Sequence, residues 1–340
     1  MTTDSKKQIL VIGATGAQGL AVVDSILAPS ADGTPSPYTV RALTRDPNSQ
    51  RARGLAEKGV ELFKGSFDDL NAVRKAFEGV YGAFVNTDGF TVGEEKEIYV
   101  GMKIFEIAKQ TKSVKHYVWS NLDNYLKKGN YDEKYNCEHT SGKGRVGEWL
   151  TTQPSDTSKD GMTWSCVCTG PYMDMLHFDI FGPQNKREDG TYVFATPLGK
   201  GHVPMIAVKD VGFWARYSFD HREEVSARDL EVASEMVTWD YLASTFTAVT
   251  GKKAVVVYQS IDDWMKNYHN VDEPVARNFK KGDGTITFRK NFSAWWATYR
   301  DDNIKRDMDW IRSVHPDSYT LERWMRENGY DGDSQKFSYR

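Results

Sequence analysis

The chain has 340 residues, and its 44 Lys and Arg residues nearly balance its 47 Asp and Glu residues, for a formal net charge of -3. That length suits one large α/β domain, or a core domain with a smaller lobe. The balanced charge argues against direct binding to nucleic acid, which needs a basic footprint, and no apolar run approaches the roughly 18 residues of a membrane span.

The chain begins with the polar segment MTTDSKKQ and continues directly into an apolar run. We therefore expect no secretory signal, no clear transit peptide and a cytoplasmic location. Short apolar strands then alternate with helices. Strands are predicted at 8–12, 38–43, 60–65, 80–86, 114–120 and 162–168, and helices at 17–28, 50–58, 69–77, 94–111 and 133–152. This alternation is typical of parallel βαβ units with crossover helices on both faces of one sheet.

The alternation ends after Thr169. Residues 170–206 contain Pro and Gly and few periodic runs, which predicts an irregular lid that faces a substrate. Helices are predicted next at 209–219 and 238–249, strands at 228–232 and 254–258, and a helical, Trp-rich region from 259 onward. We expect an α/β fold with a Rossmann-like doubly wound parallel sheet in residues 1–169. A smaller α+β lobe, 170–340, is interleaved with it because residues 209–260 return partly to the core.

The cysteines and tryptophans are predicted to be structural. Three cysteines are too few for a disulfide framework. Cys166 and Cys168 alternate within a predicted strand, which favours buried thiols over the alternative of a metal or redox pair. No metal site is expected. Most of the ten tryptophans are expected to pack the core and the lobe.

The stretch VIGATGAQG places Gly13, Gly16 and Gly19 at the first junction between a strand and a helix. In that setting the first glycine permits a tight turn, and the second lets a pyrophosphate approach the backbone. The third allows the helix to pack close to the sheet. A tight turn without a ligand is the alternative, but the five further α/β units favour a dinucleotide site.

The second predicted strand ends in RALTRDP, which places Arg45 where dinucleotide-binding folds meet the adenosine ribose. An Asp or Glu usually accepts a hydrogen bond from a free 2′-hydroxyl there, whereas Arg binds a 2′-phosphate. Arg45 therefore predicts NADP(H) rather than NAD(H). The alternative is a solvated surface arginine beside Asp46.

Several segments together resemble the NmrA-like family of atypical short-chain dehydrogenase/reductases, in a fungal-type form. They include VIGATGAQG, VRALTRDP, HYVWSNLDN, HTSGKGRVGEWL and VPMIAVKDVG, and the resemblance runs from about residue 8 to residue 260. It implies an NADP(H) site in which successive segments of the chain contact the pyrophosphate, the 2′-phosphate, the adenine, the ribose and the nicotinamide. The residues implied are Gly13, Thr15, Gly16, Ala17, Gln18, Gly19, Arg45, Ser66, Phe67, Asp68, Asn86, Thr87, Lys143, Tyr172 and Met173. Many relatives carry an acidic residue at the position of Ser66, so the adenine contacts depart from the family pattern.

The catalytic candidates come from a departure from the ordinary Tyr-x-x-x-Lys motif, whose Tyr donates a proton and whose Lys holds the ribose. Here His139 stands four residues before Lys143, and that spacing puts both on one helix face. The resemblance implies that Lys143 binds the nicotinamide ribose and is a candidate proton donor, as in related aromatic-ether and lignan reductases. His139 is a second candidate, against the alternative of a half-exposed helix residue. Ser120, after the fifth predicted strand, is a candidate to bind a substrate carbonyl, against a capping or turn role.

Three glycines, Gly142, Gly144 and Gly147, surround Lys143 in a predicted helix, where each costs about 1 kcal/mol relative to Ala. Either the helix begins late and leaves Lys143 on a mobile turn, or the glycines admit a ligand or strand. The late start is the simpler interpretation. It predicts that NADP(H) orders this turn.

Two functions fit these patterns. One is an NADP(H)-dependent reductase or related tailoring enzyme that transfers hydride to a medium-sized organic substrate, such as a phenolic compound, a quinone or an imine-bearing secondary metabolite. The other is a non-catalytic NADP(H) redox sensor that binds a regulatory protein partner, for which a nuclear location also fits. The aromatic C-terminal region favours a walled pocket and hence the enzyme.

Overall fold

The computed structural model describes residues 6–30 and 32–337. The strands are β1 (Lys7–Ile12), β2 (Tyr38–Thr44), β3 (Glu61–Lys64), β4 (Gly82–Val85), β5 (His116–Leu122), β6 (Thr163–Thr169), β7 (Asn185–Lys186), β8 (Tyr192–Thr196), β9 (Val203–Met205), β10 (Arg228–Glu231), β11 (Glu235–Val237) and β12 (Ala254–Tyr258). The helices are α1 (Ala17–Leu27), α2 (Gln50–Glu57), α3 (Leu70–Ala76), α4 (Gly89–Val92), α5 (Glu94–Gln110), α6 (Tyr125–Lys128), α7 (Glu138–Leu150), α8 (Val208–Asp220), α9 (Trp239–Thr250), α10 (Ile261–Met265), α11 (Phe288–Arg300), α12 (Met308–Val314) and α13 (Leu321–Glu327). Among the described residues, no helix has the length and apolar character needed to cross a membrane.

The central sheet has seven parallel strands in the order β10-β6-β5-β4-β1-β2-β3. The chain winds outward from β1 in one direction and returns to β4 on its other side. That reversal leaves a crevice outside the carboxyl ends of β1 and β4, which is where open α/β sheets bind ligands. The predicted doubly wound fold is confirmed.

Both faces of the sheet are apolar because helices cover both. Side chains of a strand alternate between faces, so Ile9 and Val11 join a cluster that contains Trp214 of α8. Leu10 and Ile12 join a second cluster on the other face, with residues of α5 and α7. This two-sided burial explains why residues 9–12, ILVI, form a continuous apolar run instead of an alternating one.

Residues 170–206 are irregular over most of their length, as predicted, but the prediction of a lid is wrong where the segment is buried in the C-terminal core. All five residues of β8 are buried, and β8 pairs in parallel with β12. Phe181 packs against Trp239, Trp295 and Trp296 in the aromatic core of the C-terminal region. The aromatic side chains of this segment are therefore mostly used for packing, as are most tryptophans. Cys166 and Cys168 are buried free thiols, as predicted.

Strand β5 ends two residues later than predicted, so Ser120 and Asn121 lie within the strand instead of following it. Polar residues at a strand end predict a loop, but both side chains have partners inside the protein. Ser120 Oγ donates to Gln18 Oε1 at 2.7 Å, and Asn121 Nδ2 donates to Asp229 Oδ2 at 2.8 Å. Because their hydrogen bonds are satisfied there, the strand continues through them.

Helix α7 does not begin late, and the prediction of a mobile turn at Lys143 is wrong. The helix begins at Glu138, and Lys143 is only 8% exposed in its interior. Gly144 and Gly147 are needed because α7 packs closely against Asn124 and Asn121. A Cβ at Gly144 would lie 2.6 Å from the backbone nitrogen of Asn124, and one at Gly147 would lie 2.5 Å from the Asn121 side chain.

Two glycine substitutions test this packing directly. Gly54→Ala on α2 meets nothing within 4 Å, so we expect it to stabilise the protein by about 0.5–1 kcal/mol through helix propensity. Gly144→Ala gains the same propensity but collides with backbone, and we expect a net loss of about 1–3 kcal/mol. Urea unfolding of both variants measures the difference. Equal stabilisation by both substitutions would contradict the close approach of α7.

Candidate functional site

A cavity of about 560 Å³ occupies the crevice at the carboxyl ends of β1, β2 and β4. One end is bounded by Arg45 and Arg51, near the end of β2. The β1–α1 turn forms its middle, with Gly13 and Gly16. The other end is bounded by α7 and by Tyr172. Its place is the one that the sheet topology dictates for a bound ligand.

The glycines of the β1–α1 turn have the roles that their spacing predicts. Gly13 has a φ of +83°, and a Cβ there would lie 2.8 Å from the carbonyl oxygen of Asn86. A Cβ at Gly19 would lie 2.1 Å from the Gly13 carbonyl oxygen, so only glycine lets α1 pack this closely. Gly16 caps α1 without a side-chain hydrogen bond and with no acidic residue in the first turn. The helix N-terminus is thus available to an anion.

The remaining residues predicted for this turn are divided between the cavity and the core. Thr15 lines the cavity, and its carbonyl oxygen accepts a hydrogen bond from Arg51 Nη1 at 3.1 Å. Ala17 begins α1. Gln18 is buried, and its side chain is bonded to Ser120. The side chain of Gln18 therefore supports the turn from the side of α1.

Two guanidinium groups stand at the outer end of the cavity. Arg45 is exposed and lines the cavity, and Arg51 of α2 is a second cation that the sequence interpretation missed. The neighbouring carboxylate of Asp46 is used within its own turn, where Oδ1 accepts from the backbone nitrogen of Asn48 at 2.9 Å. The basic run QRARG directly after the strand end was the signal for Arg51. This end of the cavity suits a phosphate group.

The predicted adenine region is only partly at the cavity. Ser66 and Phe67 line it. Asp68 instead accepts hydrogen bonds from Ser66 Oγ and from Lys96 Nζ, the latter at 2.6 Å. The hydrogen bond from Lys96 lowers the pKa of Asp68. Its carboxylate is committed to a surface ion pair.

Lys143 joins α7 to the loop that follows β4. Its Nζ donates to Asn86 Oδ1 at 3.0 Å, to the Thr87 carbonyl oxygen at 2.9 Å and to Thr87 Oγ1 at 3.0 Å. Glu97 Oε1 lies 3.3 Å from the same nitrogen. The structure thus brings together three residues that the resemblance implies, and adds a buried carboxylate that was not predicted. Within EEKEIYV, Glu97 reads as one of several surface acids.

His139 is packed between two aromatic rings, on the cavity wall near Lys143. Its ring stacks on Phe90 with centroids 4.5 Å apart, and on Phe292 at 5.6 Å. Asn291 Nδ2 donates to Nδ1 at 2.8 Å, which assigns the proton of the neutral ring to Nε2. Burial lowers the pKa of His139 to about 4. The imidazole is therefore neutral near pH 7.

This lowered pKa predicts a pH effect on stability. Between the unfolded value of 6.5 and about 4, the unfolded chain binds a proton that folded His139 excludes, so acid destabilises the fold. His139→Phe keeps a ring between Phe90 and Phe292 and removes the titration. We expect the wild type to lose up to about 2 kcal/mol relative to this variant between pH 7 and pH 5. Urea unfolding at both pH values measures it; an unchanged difference would show that His139 titrates normally.

Three further predicted residues differ in their relation to the cavity. Tyr172 lines it, and burial raises the pKa of its hydroxyl to about 12, the opposite of an activated tyrosine acid. Met173 is fully buried in the core of the C-terminal region, and its backbone nitrogen donates to Ile206. Ser120 is 2% exposed and donates to Gln18. Of these, only the Tyr172 side chain is placed to meet a ligand.

A C-terminal segment, residues 273–288, spans the two elements that carry Lys143 and its partners. Arg277 donates from its backbone to the Phe90 carbonyl at 2.8 Å and from Nη2 to Asp88 Oδ2 at 2.9 Å. Farther along, the Ile286 backbone nitrogen donates to Glu138 Oε1 at 3.1 Å. This segment, rather than residues 170–206, therefore links the loop after β4 to the start of α7.

Comparison with known proteins identifies the family. The family model described as "NmrA-like family" matches residues 5–290. The chain belongs to the NmrA-like family. It is 28% identical over 283 residues to the NmrA-like family domain-containing oxidoreductase malD of Malbranchea aurantiaca, covering 76% of this chain and 77% of that protein.

Solved structures share the NmrA-like fold. NmrA, a negative transcriptional regulator in complex with NADP, superposes with a TM-score of 0.73 at 19% identity, covering 95% of each chain. The Citrobacter sp. triphenylmethane reductase complexed with NADP(H) superposes with a TM-score of 0.68 at 19% identity, covering 94% of this chain and 99% of that one. One fold thus includes a regulator and a reductase, so function must be argued from the site.

Proposed function

We propose that this protein is an NADP(H)-dependent reductase that acts on a medium-sized organic substrate. The observation that carries the proposal is a single cavity with two arginines at one end and an aromatic-walled histidine beside Lys143 at the other. The first end suits the 2′-phosphate, and the second suits a reaction centre.

The residues present fit this cofactor. The bare N-terminus of α1 would hold the pyrophosphate, and Arg45 with Arg51 would hold the 2′-phosphate. Asn86, Thr87 and Lys143 would meet the nicotinamide ribose. When bound, NADPH supplies a hydride to the substrate.

The chain's own groups have distinct tasks in this proposal. Lys143 is fixed by the loop after β4 and orients the ribose. Phe90, Leu122 and Tyr172 are cavity-lining side chains that exclude water from the reacting face. His139 Nε2–H donates a hydrogen bond to the polar atom of the substrate, since a neutral imidazole can polarise a carbonyl or an imine. The aromatic wall favours a flat compound such as a phenolic, a quinone or an imine-bearing secondary metabolite.

The test follows NADPH absorbance in the presence of quinones, aromatic ketones, enones and cyclic imines, after titration has established binding of NADPH and NADH. His139→Phe, which keeps the ring stack, is compared with His221→Phe at an exposed histidine on the surface. We expect turnover by the wild type and the His221 variant, with at least about a 100-fold loss in the His139 variant at unchanged NADPH affinity. Tight NADPH binding without turnover of any compound would contradict the reductase.

One observation favours a second candidate, an NADP(H) sensor that binds a regulatory protein. The position of the usual catalytic tyrosine holds His139, and the cavity-lining Tyr172 has a raised pKa. The same titration, followed by a binding assay with and without NADPH, distinguishes the two, because a sensor changes its affinity for a partner protein on binding cofactor.

A further inference from the structure

We propose that Glu97 is a positioning residue, whose buried carboxylate pairs with Lys143 and fixes it at the nicotinamide end of the cavity. The inference rests on the proposed cofactor site for its functional meaning, because Lys143 is the residue through which Glu97 acts. It also decides between the two roles predicted for Lys143. The lysine is an anchor and does not deliver the proton.

Hydrogen bonds connect Lys143 to Glu97 through Thr87. Lys143 Nζ donates to Thr87 Oγ1 at 3.0 Å, and Thr87 Oγ1 donates in turn to Glu97 Oε1 at 2.6 Å. Glu97 Oε1 also lies 3.3 Å from Nζ itself. Asn86 Oδ1 and the Thr87 carbonyl oxygen also accept hydrogen bonds from Nζ. Four protein oxygens therefore hold the ammonium group at the cavity wall.

Two backbone segments are shaped around the Glu97 carboxylate, which is fully buried. A Cβ at Gly89, in the first turn of α4, would lie 2.2 Å from Glu97 Oε2. A Cβ at Gly142, next to Lys143 on α7, would lie 2.8 Å from the same oxygen. Glycine at these two positions leaves room for a carboxylate, and this explains the residue that precedes Lys143.

Lys143 is the cation that pairs with Glu97. Arg145 and His139 share α7 with Lys143, Glu94 lies on α5 with Glu97, and Asp88 belongs to the loop after β4. Glu94 is paired with Arg145 at 3.5 Å, which leaves Lys143 as the counter-charge of Glu97. Removing the Lys143 ammonium group would leave the Glu97 carboxylate buried without a counter-charge, which proteins avoid.

Glu97→Gln tests the charge while keeping the shape, and Glu95→Gln on the exposed side of α5 is the matched control. NMR of lysine-labelled protein reports how fast the ammonium protons of Lys143 exchange with water, without substrate or cofactor; Lys143→Met identifies its signal. We expect this exchange to be at least about 10-fold faster in Glu97→Gln and unchanged in Glu95→Gln, because the Glu97 carboxylate holds the ammonium group by a charged contact. Unchanged exchange in Glu97→Gln would overturn the inference.

NADPH titration then connects this contact to the site. In Glu97→Gln we expect NADPH affinity to fall at least about 10-fold relative to the wild type, and we expect Glu97→Gln to cause no further loss when it is added to Lys143→Met. The double variant also removes both buried charges, so it keeps the test open if Glu97→Gln folds poorly. A loss of the same size when Glu97→Gln is added to Lys143→Met would overturn the inference. A wild type that binds no NADPH would refute the proposed function instead, while the exchange measurement at Lys143 would still decide the pairing.

Discussion

Replacing Arg45 and Arg51 together by Ala is expected to weaken NADPH binding by about 100-fold and to leave NADH binding within about 2-fold. Both side chains bound the outer end of the cavity, and the Asp46 carboxylate is held in its own turn. A charged hydrogen bond contributes about 1.5–3 kcal/mol. Solvent screening at this exposed end lowers the contribution to about 1.4 kcal/mol for each arginine, and two such contributions correspond to about 100-fold.

Isothermal titration with both nucleotides measures the effect, and Arg53→Ala on the same helix is the control. Arg53 is also exposed and cationic but does not line the cavity. We expect it to change neither affinity by more than about 2-fold, because a distant surface charge is screened. Equal losses for NADPH and NADH in the double variant would show that the arginines do not read the 2′-phosphate.

Arg306→Met is expected to lower the free energy of unfolding by about 3–5 kcal/mol. The Arg306 side chain is fully buried, and its Nη2 donates to Asp123 Oδ2 at 2.6 Å. Asp123 lies just beyond β5, whereas Arg306 follows α11, so this pair joins the C-terminal region to the sheet. Burial, together with the charges of Asp123 and Glu231, raises the pKa of nearby Asp229 to about 7. Without Arg306, the ion-pair partner left to Asp123 among the described residues is Lys128, whose Nζ lies 3.6 Å from Oδ1 and whose side chain is 36% exposed.

The matched rescue is Arg306→Met with Asp123→Asn, which removes both charges and is expected to recover most of the loss. Arg323→Met is the control, because Arg323 pairs with Glu327 on the surface of α13 and exposed pairs contribute at most about 1 kcal/mol. Urea unfolding gives all four free energies. If Arg306→Met costs no more than Arg323→Met, the buried pair does not hold the two regions together.

The sequence predicts the sheet well because the information is local. Residues 9–12, ILVI, are apolar at every position, which requires helices on both faces, and the glycines after them allow one turn geometry. Arg45 was predicted to meet the ligand for the same reason, since it stands at a fixed place after β2. These features need only neighbouring residues and the rules of βαβ units.

The features that were missed depend on contacts between distant residues. Gly144 is read as a helix breaker until Asn124 is seen against it, and Glu97 is read as a surface acid until Lys143 is found 3.3 Å away. The end of β5 moved because Ser120 has a partner in Gln18, about a hundred residues earlier. No periodicity in the sequence encodes such pairs.

The path of the chain restricts how specificity can be engineered in this protein. After β6 the chain builds β8 and β9, then returns with α8 against α1 and with β10 at the edge of the large sheet beside β6. A chimaera made by exchanging everything after Thr169 with a relative would therefore replace an edge strand and a covering helix of the cofactor domain. Grafts limited to residues 273–288 leave the sheet and its covering helices intact, and they change only the contacts that this segment makes with the loop after β4 and with the start of α7.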